Sequence, residues 1–173
     1  VDVPLKYESH GTGHKTLIVL HQTISPDYVG VKDIAGVGAY LSHVGYGIHI
    51  IDDLEGNSAA VAPEHETDIY WHVQGANTEA IGIEQISYKT GQAGYWWKRT
   101  KQLNKTARWC AYLCKKHGIP PVYDPTARRG ICGHYDVTHS QGIYGGHTDC
   151  QYPDYPTKWV AAAAATYMRL GWA

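Results

Sequence analysis

The sequence predicts an α/β domain: one mixed β-sheet flanked by α-helices. Three observations carry this. Short apolar runs rich in β-branched residues recur along the chain and read as buried strands. Two longer segments, one central and one near the C-terminus, repeat apolar residues at helical spacing. The length, 173 residues with 43% hydrophobic side chains, suits a single domain over residues 1–173 with a substantial core.

Thr16–Leu20 is a continuous apolar run and predicts a buried strand. Ser25-Pro26 reads as an N-cap and first helical position, opening a helix from about Asp27 to Ser42. Ile34, Val37 and Leu41 keep its helical spacing, while Gly30, Gly36 and Gly38 weaken it. Tyr46–Ile51 predicts a second strand, Asp52–Gly56 a hairpin turn, and Asn57–Ala62 a returning third strand. A polar, aromatic loop, Glu64 to Asn77, precedes another buried strand at Ile81–Ile86.

The strongest helix runs from about Tyr95 to His117, with Trp96, Leu103, Ala107, Cys110 and Cys114 on one stripe. Lys115, Lys116 and His117 suit its C-terminal dipole, and Gly118 reads as the cap before Pro120-Pro121. Ile131–Gly133 reads as short and extended. A final helix spans Pro156 to Leu170, with Val160, Ala163, Ala164 and Tyr167 inward. No internal repeat, low-complexity stretch or linker interrupts this pattern.

Composition narrows the function. The formal net charge is −1 with no basic block, which argues against nucleic acid as the main partner. No apolar stretch approaches the roughly 20 residues needed to span a bilayer, so membrane insertion is not expected. The chain begins at Val1 without a signal peptide, consistent with an excised domain or a mature product. Eleven His, fourteen Tyr and six Trp accompany a complete lack of Phe, and flat rings with a polar handle suit carbohydrate or peptide surfaces. The four cysteines, at 110, 114, 132 and 150, form no Cys-x-x-Cys pair, so a structural zinc knuckle is not expected. Cys110 and Cys114 lie one helical turn apart and read as buried; a Cys132–Cys150 disulfide is compatible with the sequence.

Three polar signatures carry the chemistry. His21 follows the apolar run Leu17-Ile18-Val19-Leu20, His134 lies in Gly133-His134-Tyr135-Asp136, and Asp149 lies in Gly146-His147-Thr148-Asp149. A lone histidine at a strand end is more often a satisfied core residue than a ligand. Two such imidazoles with a carboxylate can instead hold one Zn2+ ion and leave a position for water, which points to hydrolysis. Glu84 ends a buried strand, where a carboxylate is costly unless paired. It is the candidate general base; a structural ion pair or solvated strand end is its plainer role. Asp136 is a candidate for orienting either a neighbouring loop or His134. His43, His49, His65, His117 and His139 have no motif around them and read mostly as surface or cap residues.

These signatures resemble the zinc-dependent N-acetylmuramoyl-L-alanine amidases of type 2, the superfamily that includes phage amidase lysozymes and peptidoglycan recognition proteins. The matching segments are Leu20-His21-Gln22-Thr23, Val44-Gly45-Tyr46, Trp71-His72 with Asn77, Ile81-Gly82-Ile83-Glu84, Gly133-His134-Tyr135-Asp136-Val137 and His147-Thr148-Asp149-Cys150. Each is weak alone; six in the family's order, over about residues 17 to 150, are specific. The resemblance implies the peptidoglycan-recognition-protein-like fold and hydrolysis of the amide between N-acetylmuramic acid and L-alanine. It also implies His21, His134 and Asp149 as ligands to one zinc ion, with Glu84, His147 and Tyr46 catalytic. His72 and Asn77 match the family's groove-lining segment, and Trp71, Tyr70 and Trp96-Trp97 are candidate walls for glycan or stem peptide.

Two departures stand out. The family's third ligand is Asp in some members and Cys in others, and here Asp149 and Cys150 are adjacent. Asp149 fits the frame in which the ligand follows a catalytic Lys by two residues, and is favoured over Cys150. His147 then occupies the Lys position. A histidine, with an unperturbed pKa of about 6.5, is only partly cationic at neutral pH but can still donate a hydrogen bond.

Peptidoglycan, both glycan and stem peptide, is the partner this implies. The setting it implies is the catalytic domain of a phage or prophage endolysin, made in the host cytoplasm and released, or otherwise a secreted enzyme. A monomer is the default expectation. The rivals are a peptidoglycan-binding module that does not cut, a cysteine peptidase using Cys132 or Cys150, and a purely structural zinc domain, against which the shortage of Cys ligands and the carboxylate ligand argue. The filled ligand positions disfavour the first; survival under chelation would mark the second.

Overall fold

A computed structural model describes residues 4–25, 30–88, 93–143, 146–147 and 149–172. Among them, six strands form one mixed sheet: β1 (Pro4–Leu5), β2 (Leu17–Gln22), β3 (Ile50–Asp52), β4 (Ser58–Val61), β5 (Ala80–Gln85) and β6 (Gly130–Gly133), in the order β1-β4-β3-β5-β2-β6. The β3–β4 hairpin is antiparallel and all other pairs are parallel. Five helices flank the sheet: α1 (Val31–His43), α2 (Ala93–Trp96), α3 (Thr100–His117), α4 (His134–Ser140) and α5 (Thr157–Arg169). The expected mixed sheet with flanking helices is the observed fold. No helix among the described residues is long and apolar enough to cross a membrane.

Strand alternation sorts the core into layers. On β2, Ile18 and Leu20 face the main core beneath α3 and α5, where Ile81, Ile83 and Ile131 join them. Leu17 and Val19 face the opposite side, against Val73, Ala76, Cys132 and Val137. On that same side of the sheet α1 covers β3 and β4 through Ile34, Ile51, Ala59 and Val61. A cleft opens between these two smaller clusters. Continuing the alternation puts His21, two residues after Val19, on the cleft side. Glu84, its partner across the parallel β2–β5 ladder, lies on that side too.

Several expected elements are revised. The opening of the first helix falls on residues 26–29, outside the described residues, and α1 is described from Val31. The strand expected at Tyr46–Ile51 is Ile50–Asp52. Tyr46 is instead spent on closing α1, its N–H donating to the Leu41 carbonyl at 2.8 Å, so it lies on the cleft rim. The helix expected over Tyr95–His117 is two helices, broken at residues 97–99. Arg99 explains the break. Its buried guanidinium donates to the Ile86 carbonyl and the Tyr95 hydroxyl, and its Nε donates to Gln102, contacts that need a non-helical backbone at 99. The apolar stripe nonetheless packs as expected, with Trp96, Leu103, Ala107, Cys110 and Cys114 buried. In α5, Val160 and Ala164 are buried, whereas Ala163 and Tyr167 are only partly so.

β1 and α4 were not legible: the first is two residues long, and the second carries few apolar positions. All four cysteines are free and buried. Cys132 and Cys150 belong to cores on opposite sides of the sheet, so the disulfide compatible with the sequence does not form. His49, read as a surface or cap residue, is fully buried. Its Nδ1 accepts the Gly82 N–H and its Nε2 bonds to the Asp68 carbonyl, which satisfies both nitrogens without solvent.

Candidate active site

The carboxyl ends of β2, β5 and β6 meet at the floor of a cleft of about 960 Å3, the usual place for a site in a parallel sheet. His21 projects from the end of β2. His134 is the first residue of α4, immediately after β6. Asp136 fixes that junction: Oδ2 accepts the Gly133 N–H at 2.9 Å and Oδ1 accepts the Tyr123 hydroxyl at 3.1 Å. It therefore orients the helix that carries His134.

Asp149 arrives from a distant loop and is held between the two imidazoles. Its Oδ1 lies 3.2 Å from His134 Nδ1 and its Oδ2 lies 3.7 Å from His21 Nδ1. The Gln22 N–H also donates to Oδ2 at 3.1 Å, and the Tyr135 N–H donates to the Asp149 carbonyl at 3.0 Å. All three side chains are buried, with donor atoms within 4.8 Å of one another. Burial followed by the neighbouring His134 pushes His21 well below the ordinary histidine range. At 3.7 Å its contact with Asp149 is too long for a hydrogen bond. Burial pushes the Asp149 carboxyl upward, but the hydrogen bond and charge of His134, with His21 and the Gln22 N–H, outweigh it and hold the group below its usual range.

The set fits a divalent ion. A neutral imidazole and an ionised carboxylate are what a metal needs. Donors on a tetrahedral zinc with bonds of about 2.0–2.1 Å stand about 3.3 Å apart, close to the 3.2 Å between His134 Nδ1 and Asp149 Oδ1, and the whole set lies within 4.8 Å.

Cys150, the rival ligand, points the other way. Its backbone sits at φ 58°, in the left-handed region, which turns Asp149 toward the cleft and the thiol into the core. There the Gln85 amide faces Cys150 Sγ at 3.8 Å. Gly133 makes this crossing possible: a Cβ at that position would stand 2.1 Å from the Cys150 carbonyl oxygen. Burial pushes the Cys150 and Cys132 thiols well above the ordinary range, a poor state for a nucleophile.

Glu84 is buried on the cleft side of β5, and burial, then the Asp149 and Asp52 charges, raises its carboxyl well above the usual range. His147 is 74% exposed at the rim, stacked on His134 with ring centroids 5.0 Å apart and planes 5° from parallel. Tyr46, 53% exposed, lines the cleft from the α1 side, and Trp71, 52% exposed, lines it from the opposite loop with His10 stacked on its ring at 4.1 Å. His72 and Asn77 also line the cleft but make internal contacts. His72 Nδ1 meets His21 Nε2 at 3.0 Å, and Asn77 Oδ1 accepts the N–H groups of His72 and Val73 at 2.9 and 2.8 Å.

Sequence reasoning missed Gln22 and Gln85. Gln22 Oε1 accepts the Cys150 N–H at 3.0 Å, and Gln85 Nε2 donates to the His21 carbonyl at 3.2 Å. Both tie the Asp149 segment and His21 together from the far face of the sheet. The available signal was a pair of polar residues ending each buried strand, His21-Gln22 and Glu84-Gln85, which alternation must send to opposite faces.

Fold and site together describe a hydrolase with a buried His-His-Asp set that could hold a metal ion, at the carboxyl ends of the parallel strands of a mixed sheet. The model of the N-acetylmuramoyl-L-alanine amidase family matches residues 12–153, and the chain belongs to that family. It is accordingly an enzyme of the bacterial cell wall, hydrolysing an amide bond of peptidoglycan. No curated protein matches the chain. Solved structures share the fold. The Staphylococcus aureus hydrolase AmiA, in complex with its ligand, superposes with a TM-score of 0.72 at 17% identity, covering 98% of this chain and 84% of AmiA. A mutant endolysin from Bacillus subtilis gives 0.60 at 16% identity, covering 95% and 98%. The N-acetylmuramoyl-L-alanine amidase LysC from Clostridium intestinale gives 0.59 at 19%, covering 94% and 95%.

Proposed function

We propose that the chain cleaves the amide joining the lactyl group of N-acetylmuramic acid to L-alanine of the stem peptide, using one zinc ion held by His21, His134 and Asp149. The observation that carries this is the convergence of those three buried donors, within 4.8 Å, on the floor of an open cleft. Bound there, zinc supplies a Lewis acid that polarises a carbonyl and lowers the pKa of a coordinated water toward about 7.

The chain's own residues do the rest. Glu84, held on the cleft side of the sheet, takes the proton of the attacking water and returns it to the departing alanine nitrogen. Its raised pKa suits a group that must accept and then release a proton. His147 donates a hydrogen bond to the oxygen that gains charge as the carbonyl becomes tetrahedral, and Tyr46 assists from the opposite wall. His134 braces His147 by stacking. Trp71, with His72 and Asn77 behind it, forms the wall against which glycan or stem peptide lies.

Residues 1–173 act as one catalytic unit in this reading. Its setting is a phage or prophage endolysin, which the fold shared with endolysins supports. The test is digestion of purified peptidoglycan with and without a zinc chelator, followed by mass spectrometry. Stem peptides with a free N-terminal alanine, lost on chelation, are expected. New reducing ends, or cleavage that survives chelation and stops on thiol alkylation, would overturn the proposal.

A further inference from the structure

We infer that His72 is a positioning residue for His21: its Nδ1 accepts the Nε2–H of His21 and so leaves His21 Nδ1 as the nitrogen that binds the metal. This rests on the reading of His21 as a metal ligand.

His21 Nε2 and His72 Nδ1 are 3.0 Å apart, with the rings 80° from coplanar. A neutral imidazole has one N–H and one lone pair, so the contact has two possible senses. If His72 donated, His21 Nδ1 would carry the proton and face the Asp149 carboxylate at 3.7 Å, too far for a hydrogen bond and closed to a metal. If His21 donates, its Nδ1 lone pair faces Asp149 and His134 and is free to bind. The second sense also puts the remaining proton of His72 on Nε2. That nitrogen is buried without a hydrogen bond of good geometry, and the acceptor interacting with His72 is the Ala80 backbone.

His72 is built into place rather than merely adjacent. Asn77 grips its backbone and that of Val73 through one oxygen. Gly82 makes room for the ring: a Cβ there would stand 2.7 Å from His72 Nδ1 and 2.9 Å from Cε1. Behind it stands His49, edge-on at 5.5 Å and itself locked by the Gly82 N–H and the Asp68 carbonyl. The result is a column of imidazoles, of which His21 meets the metal donors and His72 sets which nitrogen it offers. Partners of this kind fix ring orientation and tautomer at metal sites, and their loss typically lowers metal affinity about 10- to 100-fold.

The test uses the full chain labelled with 15N at histidine, titrated with Zn2+ alone and followed by long-range 1H–15N spectra. The expected result is a metal-bound Nδ1 and a protonated Nε2 on His21, with neither nitrogen of His72 metal-bound. His72→Phe removes the acceptor and should weaken Zn2+ binding about 10- to 100-fold. His72→Gln, whose oxygen can still accept, should stay within a few-fold of the parent. A metal-bound Nε2 on His21, a metal-bound His72, or unchanged affinity in His72→Phe would overturn the inference. If His72→Phe fails to fold, the nitrogen assignments in the parent chain decide alone. His21→Ala separates the two readings: unchanged Zn2+ binding there sinks the ligand assignment itself, whereas its loss with an indifferent His72→Phe sinks only the role of His72.

Discussion

His21 and Glu84 are register partners on adjacent parallel strands, β2 and β5, and alternation places both on the cleft side of the sheet. A proposed metal donor and a proposed proton acceptor therefore sit on neighbouring strands of one rigid scaffold, with no loop between them. The next pair in the ladder, Gln22 and Gln85, falls on the opposite face and ties in Asp149 and Cys150.

Glu84→Gln keeps the shape and removes the base. Turnover is expected to fall about 10²- to 10⁴-fold while Zn2+ binding persists. Isothermal titration with Zn2+ beside a peptidoglycan turbidity assay checks both halves; a variant with parent turnover would release Glu84 from the mechanism. Because burial raises the Glu84 carboxyl, the acid limb of kcat/KM should lie above the ordinary carboxylate range, with activity rising as pH rises and the group ionises.

His147→Ala should lower kcat about 10²- to 10³-fold with little change in KM, the signature of a hydrogen bond made in the transition state. The side chain is exposed, so melting temperature should barely move. A defect confined to KM would recast His147 as a substrate contact.

Chelation should abolish activity and also destabilise the protein, because the buried donors bind metal only when folded. At a free Zn2+ concentration 100 times Kd, binding adds about 2.7 kcal/mol. Differential scanning calorimetry with and without chelator, then with Zn2+ restored, reads this directly. An unchanged melting temperature would contradict a bound metal.

Asp52 supplies a pH dependence of stability. Burial raises its carboxyl from the ordinary value to about 7, against the opposing hydrogen bonds from Thr106 and Gln102. The folded state therefore holds a proton that the unfolded chain releases near pH 4. The associated stability is complete below about pH 4 and lost as pH rises through about 7. Asp52→Asn should flatten chemical-denaturation stability between those limits and leave the variant more stable than the parent at pH 8. Parallel curves for parent and variant would show that Asp52 does not titrate there.

Gly133→Ala should destabilise the chain or displace the Asp149 segment, because the added Cβ would lie 2.1 Å from the Cys150 carbonyl oxygen. Overpacking of this kind costs about 1–3 kcal/mol. Reduced Zn2+ affinity with a lowered melting temperature is the expected pair of observations. Parent values for both would mean that the segment has room to move.

The layers of the fold and the candidate donors are legible in local sequence patterns. Period-two and period-3.6 patterns are local, so β2, β5, α3 and α5 could be read from neighbouring residues alone. The six short motifs likewise stand in the chain's own order. Direction, by contrast, is set by long-range packing. Whether Asp149 or Cys150 faces the cleft depends on a left-handed backbone at Cys150 passing over Gly133, a contact between segments far apart in sequence. His49 and His72 gave no period or capping signal; a distant glycine, Gly82, leaves space for the His72 ring and donates its N–H to the buried His49. The break before α3 follows from a guanidinium that finds its partner on the residue after β5. Each of these turns on packing between segments that no local pattern brings together.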